Sequence, residues 1–296
     1  MDVVELEFYN AVLSGVGLDG TNYFYTNPLR VTEPMPLQLR WSRTRVPFVS
    51  SFCCPPNLVR TVAESSGYAY SKSADSIWIN LYGSSSLTTK LANGDTVKLA
   101  QETEYPWNGR VRIKILECGM NEFALKLRIP GWAKTFSVRV NDQPPIASKE
   151  LGAPDYFELR RAWKPGDFVD LDLPMPVRIL EANPLVEDDL NQVAIQRGPI
   201  VYCLESPDFP AGVKMSEVFV PPDFKLTARY DHRLLDGVVV LDGKVLERSH
   251  RDWTGKLYRD FQTDQFKPIS VKFIPYSVWQ NRGPSEMSVW FPLARP

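Results

Sequence analysis

The sequence is poor in the two residue types that most often build metal sites and nucleophilic centres. Its 296 residues include only four cysteines and two histidines. Four cysteines without regular spacing argue against a secreted fold stapled by disulfides. His232 and His250 have no metal-ligand spacing with a cysteine, so we predict that both lie at the surface. A Cys–His hydrolase is therefore poorly supported.

An excess of charge of one sign and long apolar runs are also missing. The net charge of -1 favours neither a nucleic-acid partner nor an anionic membrane surface. No apolar stretch is long enough to span a bilayer, and the first residues lack the basic segment and apolar run of a signal peptide. We therefore expect a cytoplasmic location. Because the chain opens directly on a helical pattern, we also expect a truncated N-terminus.

Two of the four cysteines are neighbours, Cys53 and Cys54. Adjacent Cα atoms are too close for a relaxed disulfide. The pair can bind one soft metal ion, supply a nucleophile, or be two small buried apolar residues. Two prolines and a helical pattern follow, which predicts a helix N-terminus whose dipole favours a thiolate. Since zinc needs about four ligands, this pair supplies two at most. Cys118 and Cys203 lie on predicted strands and are expected to be buried.

Helical periodicity is confined to residues 1–68. The spacing of Val4, Phe8 and Val12 predicts a helix that ends near residue 14, and a second helix is predicted over 57–64. Between them, a hairpin-like stretch is predicted, in which an Asp-Gly turn at 19–20 leads into residues 22–29, whose aromatic residues favour a strand.

After residue 68 the sequence predicts short strands, in which apolar and polar residues alternate, separated by turns. The predicted strands cover 76–82, 110–116, 123–129, 135–140, 156–160, 168–173, 192–204, 237–241, 269–275 and 287–291. The predicted fold class is mainly β: a short helical remnant, residues 1–68, followed by two consecutive β-sandwich domains, 69–175 and 176–296. The segments 107–109 and 279–283 each contain a tryptophan that can contact sugar or fill a packed sandwich corner. We favour the corner for both.

Several segments resemble glycoside hydrolase family 127, the β-L-arabinofuranosidases. Residues 52–57 with Arg60 are similar to that family's Cys-Cys-Pro-x-Asn-x-x-Arg motif. Further similar segments occur in the same order at 5–10, 18–20, 24–29, 127–132, 196–199 and 275–283. The resemblance covers essentially the whole chain, and the motifs are specific when taken together.

The resemblance implies a fold and an activity. It implies that residues 1–68 are the end of an (α/α)6 catalytic barrel, followed by the family's middle and C-terminal sandwiches. It implies a retaining exo-glycosidase that acts on non-reducing-end β-L-arabinofuranosides of arabinose-containing oligosaccharides. Cys53 would be the nucleophile, and a zinc ion would be bound by Cys53 and Cys54. Glu5 and Tyr25 match positions that line the pocket, and as catalytic residues they would position the nucleophile or the sugar.

The family's other zinc ligands and its acid carboxylate lie upstream of the segment that matches Glu5. We therefore expect this chain alone to be incomplete and inactive, with an upstream barrel polypeptide or a homodimer partner as possible complements. The alternative is a non-catalytic β-sandwich protein that binds carbohydrate or acts as a scaffold. The sugar that such an enzyme prefers is not fixed by these residues.

Overall fold

The computed structural model describes residues 1–32, 40–148, 156–250 and 252–294. The chain divides into two compact units, Met1–Tyr9 with Pro56–Pro176 and Asn10–Pro55 with Val177–Pro296. The structure is mainly β, which confirms the predicted fold class. Each unit combines a β region with part of the N-terminal stretch. The three-part division at residues 68 and 175 stays a prediction.

Helices occur near the N-terminus, as predicted. Helix α1, Asp2–Leu6, continues as a π-helix, Glu7–Val12. Helix α2 covers Cys54–Glu64 and leads into a 3-10 turn, Ser65–Tyr68. The second helix thus begins three residues earlier than predicted, because proline is tolerated in the first helical turn, where no backbone N–H is needed.

The aromatic run after the Asp-Gly turn does not form the predicted strand. In that run only Tyr23 forms β-bridges, with Val16 and Val46. A two-residue strand, β1, follows at Arg30–Val31. Tyr25 is therefore on a loop that has little regular backbone pairing.

Two sheets form the first unit. The strands are β2 Tyr70–Lys72, β3 Ser76–Ile79, β4 Ser85–Lys90, β5 Thr96–Thr103, β6 Arg110–Glu117, β7 Phe123–Arg128, β8 Phe136–Val140, β9 Ile146–Ser148, β10 Tyr156–Arg161 and β11 Phe168–Asp172. One sheet has the order β10-β7-β3-β2 and the other β4-β5-β6-β11-β8-β9. All neighbours are antiparallel except β3 and β7.

Strand periodicity explains the core of this unit. On β6, Val111, Ile113 and Ile115 are buried, whereas the intervening side chains face outward. Alternate side chains of a strand point to opposite faces of a sheet, so one face becomes apolar. The apolar faces of both sheets contribute to one buried cluster, which is the arrangement of a β-sandwich.

The second unit contains the remaining strands. They are β12 Val177–Glu181, β13 Gln192–Arg197, β14 Ile200–Glu205, β15 Val218–Phe219, β16 Leu226–Asp231, β17 Val238–Arg248, β18 Phe266–Pro275, β19 Met287–Ser288 and β20 Phe291–Pro292. Together with β1 they form a connected set of ten strands. The strand predicted over 287–291 is wrong in detail, because β19 pairs with β14 while β20 pairs with β13.

Aromatic residues fill the core of the second unit. Trp279 and Tyr202 are fully buried, and Phe273 meets Phe291 edge to face with 5.4 Å between ring centroids. Complete burial of Trp279 confirms the packed-corner interpretation for that residue. None of the helices in the described ranges has the length and hydropathy that a membrane-spanning segment needs.

Candidate functional site

The two adjacent cysteines lie where a loop enters α2. Cys54 is the first residue of the helix, and Cys53 precedes it. Their sulfur atoms are 3.3 Å apart. Cys53 is exposed and Cys54 is half-buried. The interpretation as two small buried apolar residues is therefore wrong, and the pair is open to reagents.

Polar groups from two loops surround the thiols. The Ser51 hydroxyl lies 3.0 Å from the Cys53 sulfur. The Tyr25 hydroxyl hydrogen bonds with Cys54 and with Ser51. We call Tyr25, Ser51, Cys53 and Cys54 the thiol cluster. All four residues belong to the second compact unit.

Hydrogen bonding within the thiol cluster changes its acidities. The hydrogen bond from Ser51, followed by that from Cys54, holds the pKa of the Cys53 thiol below its usual value. The hydrogen bond with Cys54 is the main reason why the pKa of Tyr25 is raised. A lower thiol pKa increases the fraction of thiolate, which is the nucleophilic and metal-binding form. Cys53 is thus an activated thiol.

Stacking holds the ring of Tyr25. It lies against Trp41 with 3.7 Å between ring centroids and 25° between ring planes. Aromatic stacking of this kind restricts a side chain without using its hydroxyl. The hydroxyl of Tyr25 is therefore free to interact with the sulfur atoms.

The thiol cluster has donors that suit a soft metal ion. Two sulfur atoms 3.3 Å apart can both reach a zinc ion at the usual Zn–S distance of about 2.3 Å. In the part of the chain that the structure describes, no group of three or more His, Cys, Asp and Glu residues is arranged to hold a metal. These residues thus fit zinc as two of its ligands.

Glu5 has a different environment, in the first compact unit. It lies on α1 and is only 1% exposed. Its carboxylate accepts hydrogen bonds from Tyr105 Oη at 2.6 Å and Trp132 Nε1 at 3.1 Å, and it forms an ion pair with Arg128. Both oxygens are therefore occupied by donors from the first sandwich.

A second carboxylate completes the environment of Arg128. Asp2 Oδ1 accepts from Arg128 Nη1 at 2.5 Å, and Asp2 Oδ2 accepts from the backbone N–H of Gly131 at 2.9 Å. Two carboxylates of α1 thus share one buried guanidinium. This arrangement holds α1 to the strand that carries Arg128.

The structure brings together three of the four residues expected in the site. Tyr25, Cys53 and Cys54 meet in the second unit, whereas Glu5 belongs to the first. Ser51 was not singled out in the sequence, although it lies only two residues before Cys53. No sequence pattern predicts that the Ser51 hydroxyl contacts the Cys53 sulfur, because this contact depends on the conformation of the loop.

The remaining cysteines and the histidines agree largely with expectation. Cys203 is fully buried on β14, but Cys118 follows the end of β6 and is partly exposed. Both histidines are exposed, as predicted, and His250 Nδ1 lies 2.8 Å from a carboxylate oxygen of Glu217.

Three family models match successive parts of the chain. They are described as the β-L-arabinofuranosidase GH127 catalytic domain, matched by residues 1–67, the GH127 middle domain, matched by 76–175, and the glycoside hydrolase family 127 C-terminal domain, matched by 177–292. The cysteine pair lies within the catalytic-domain match.

Individual proteins show the same relationship. The chain is 30% identical to a non-reducing end β-L-arabinofuranosidase of Bifidobacterium longum, over 98% of the chain and 44% of that protein. A solved structure described as a glycoside hydrolase is 44% identical, with a TM-score of 0.92 over 99% of the chain and 48% of its own length. The structure of a GH127 β-L-arabinofuranosidase from Geobacillus stearothermophilus T6 is 38% identical, with a TM-score of 0.88 over 99% and 46%.

The chain spans about half the length of the relatives it matches. Within that span the order of the three matched domains agrees with the order predicted from the sequence motifs. The chain belongs to glycoside hydrolase family 127, the family of the β-L-arabinofuranosidases.

Proposed function

We propose that this chain forms part of a retaining exo-glycosidase that removes non-reducing-end β-L-arabinofuranosyl groups from arabinose-containing oligosaccharides. Cys53 is the nucleophile in this proposal. The observation that carries it is the exposed Cys53 thiol, whose pKa is lowered by Ser51 and by Cys54. The sugar is taken from the relatives, whose names specify β-L-arabinofuranosidase activity.

The proposed reaction has two displacements. First, the Cys53 sulfur attacks the anomeric carbon, the glycosidic C–O bond breaks, and the departing oxygen takes a proton from a general acid. Water then attacks the same carbon and gives a proton to the conjugate base of that acid, the C–S bond breaks to return the Cys53 thiolate, and arabinose leaves with the original configuration. Two successive inversions give net retention. Cys53 needs no second sulfur for these bond changes, but it must be a thiolate when it attacks.

Cys53 and Cys54 would hold the zinc ion in this proposal. When bound, zinc would keep the Cys53 sulfur deprotonated at neutral pH. The Tyr25 hydroxyl hydrogen bonds with Cys54 and would so restrict the direction of that sulfur atom. We infer that Glu5 contributes by holding α1 in place, because both of its oxygens are already occupied.

Two features of the site require groups in addition to the thiol cluster. Zinc needs about two more ligands, and departure of the alcohol needs a general acid. We propose that a further polypeptide segment supplies both, either an upstream barrel polypeptide or a second copy of the chain. Activity would then depend on that segment.

The test is hydrolysis of an aryl β-L-arabinofuranoside by this chain, alone and with the catalytic-domain segment of a relative. Cys53→Ala should lower kcat by about a thousandfold or more, since nucleophile removal leaves only residual catalysis. Cys118→Ala is the control, because that thiol lies outside the cluster. Hydrolysis that survives Cys53→Ala would exclude this nucleophile.

The same preparation separates the non-catalytic alternative. A chain that binds arabino-oligosaccharides in calorimetry, but hydrolyses nothing in any combination, would be a binding or scaffolding protein. Binding without turnover would contradict the proposed enzyme.

A further inference from the structure

A buried phenylalanine adjoins the tyrosine of the thiol cluster. Phe24 is 6% exposed and contacts two flat groups of the second unit. The Trp279 ring stacks on it, with 4.9 Å between centroids and 13° between planes. The Arg45 guanidinium lies 4.3 Å from the centroid of the same ring. We call Arg45, Phe24 and Trp279 the aromatic clamp.

Arg45 makes hydrogen bonds to two parts of the chain, one around Ser14 and one at 279–280. Its Nη1 donates to the carbonyl of Trp279 at 2.5 Å, and its Nη2 donates to the carbonyl of Ser14 at 2.8 Å. Its backbone N–H donates to Gln280 Oε1 at 3.1 Å. A planar guanidinium can make these directed bonds and cover a ring face at the same time. A lysine has the charge but not this geometry.

The backbone around Phe24 is held as well. Tyr23 exchanges two hydrogen bonds with Val46, at 2.9 and 3.0 Å, and the Phe24 N–H donates to the carbonyl of Gly15 at 3.0 Å. Fixing Phe24 and its backbone limits the positions that the next residue, Tyr25, can occupy. Tyr25 is the residue whose hydroxyl reaches Cys54 and Ser51.

We propose that Arg45 and Trp279 are positioning residues that act through Phe24 to hold the Tyr25 hydroxyl against the cysteine pair. Trp279 follows β18 and is matched by the C-terminal domain model, so that domain helps to shape the thiol cluster. An effect of these residues on catalysis depends on the proposed function. The position of Tyr25, in contrast, can be tested without turnover.

The test measures alkylation of the two cysteines. The chain is treated with EDTA and then with iodoacetamide at one fixed pH, and the labelled fractions of Cys53 and Cys54 are measured by peptide mass spectrometry. Tyr25→Phe should change the ratio of the two labelling rates. Arg45→Lys and Trp279→Phe should change it in the same direction, by about fivefold or less, the range expected for loss of one aromatic contact.

Combining the variants separates positioning from general loosening. If the clamp acts through Tyr25, Arg45→Lys should have no further effect on the labelling ratio in a Tyr25→Phe background. If the fold-change in the labelling ratio of the double variant equals the product of the two single-variant fold-changes, Arg45 acts independently of Tyr25. That result would overturn the proposal. An unchanged ratio in folded Arg45→Lys and Trp279→Phe variants would also overturn it.

The second unit offers a matched control. The Arg259 guanidinium lies 4.2 Å from the ring centroid of Trp253, on the segment between β17 and β18. Arg259→Lys removes a similar stack and should leave the labelling ratio unchanged. An equal change in this control would overturn the proposal.

Measurement of turnover then distinguishes failure of the positioning proposal from failure of the proposed glycosidase function. In a preparation that hydrolyses the aryl glycoside, Arg45→Lys should lower kcat more than it raises KM. If the preparation hydrolyses the glycoside but the effects of Arg45→Lys and Tyr25→Phe on the labelling ratio are independent, the positioning proposal is wrong and the proposed enzyme activity is retained. Coupling in the labelling ratio without hydrolysis in any preparation supports the placement of Tyr25 and overturns the proposed enzyme.

Discussion

Glu5 and Cys53 both lie within the stretch that matches the catalytic-domain model, yet their surroundings differ. Glu5 is almost fully buried, and both carboxylate oxygens are used by donors from the first sandwich. Cys53 is exposed, and its neighbours lower its pKa without covering it. Burial with saturated hydrogen bonds gives a group a structural role. Exposure with activation leaves a group available for chemistry.

The largest effect on stability should come from Glu5. Glu5→Gln leaves the buried Arg128 without its closest carboxylate, and breaking one partner of a buried ion pair costs about 3–5 kcal/mol. The free energy of unfolding, measured by urea denaturation, checks this value. The control is Glu158→Gln on β10, an exposed partner of Lys126 at 2.9 Å, which should cost less than about 1 kcal/mol. Equal costs would contradict the structural role of Glu5.

Alkaline pH should weaken the same region. Burial, together with the negative charge of Glu5, raises the pKa of Tyr9 and Tyr105 above the ordinary value of about 10. At a pH between the ordinary pKa and the raised pKa, the two tyrosine hydroxyls lose their protons in the unfolded state but keep them in the folded state. Stability is therefore fully present below about pH 10 and declines above it, by up to about 1.4 kcal/mol per pH unit for each tyrosine. Urea denaturation at several pH values measures the slope, and a flat profile above pH 10 would contradict it.

A smaller effect is expected at the thiol cluster. Ser51→Ala removes the main hydrogen bond that lowers the pKa of Cys53, so that pKa should rise. The pH dependence of Cys53 alkylation should move to higher pH in the variant. Ser73→Ala, an exposed serine of the first unit, serves as the control. If Ser51→Ala does not move the profile, Ser51 does not activate this thiol.

The smallest effect on stability should follow from Cys53 itself. Its side chain is exposed, and such substitutions usually change stability by less than about 0.5 kcal/mol. Cys53→Ser should therefore unfold at nearly the same urea concentration as the original chain. A loss comparable to that of Glu5→Gln would remove the contrast between the two regions.

Much of the fold followed from strand periodicity. The strand at 110–116 was predicted within one residue, because its apolar side chains alternate strictly. The strand Ser85–Lys90 was missed, because its serines, threonines and lysine leave one apolar residue in six. The strand favoured by the aromatic residues within 22–29 is limited to the bridges of Tyr23, because Phe24 and Tyr25 stack on tryptophans from other segments.

The candidate site was only partly visible in the sequence. Adjacency and the family motif were enough to single out Cys53 and Cys54. The contact between Glu5 and Arg128 joins residues 123 positions apart, and no local pattern predicts such a pair. The same holds for Phe24 and Trp279, which are far apart in the sequence and stack on each other in the structure. Long-range contacts of this kind determine which side chains are buried and hydrogen-bonded and which remain exposed.

The most direct measurement is detection of the sugar on the enzyme. A preparation that hydrolyses the aryl β-L-arabinofuranoside is quenched with acid during turnover, digested, and analysed by peptide mass spectrometry. We expect a pentosyl group on the sulfur of Cys53 and none on Cys54. A pentosyl group on a carboxylate, or steady hydrolysis with no modified Cys53 peptide, would contradict it.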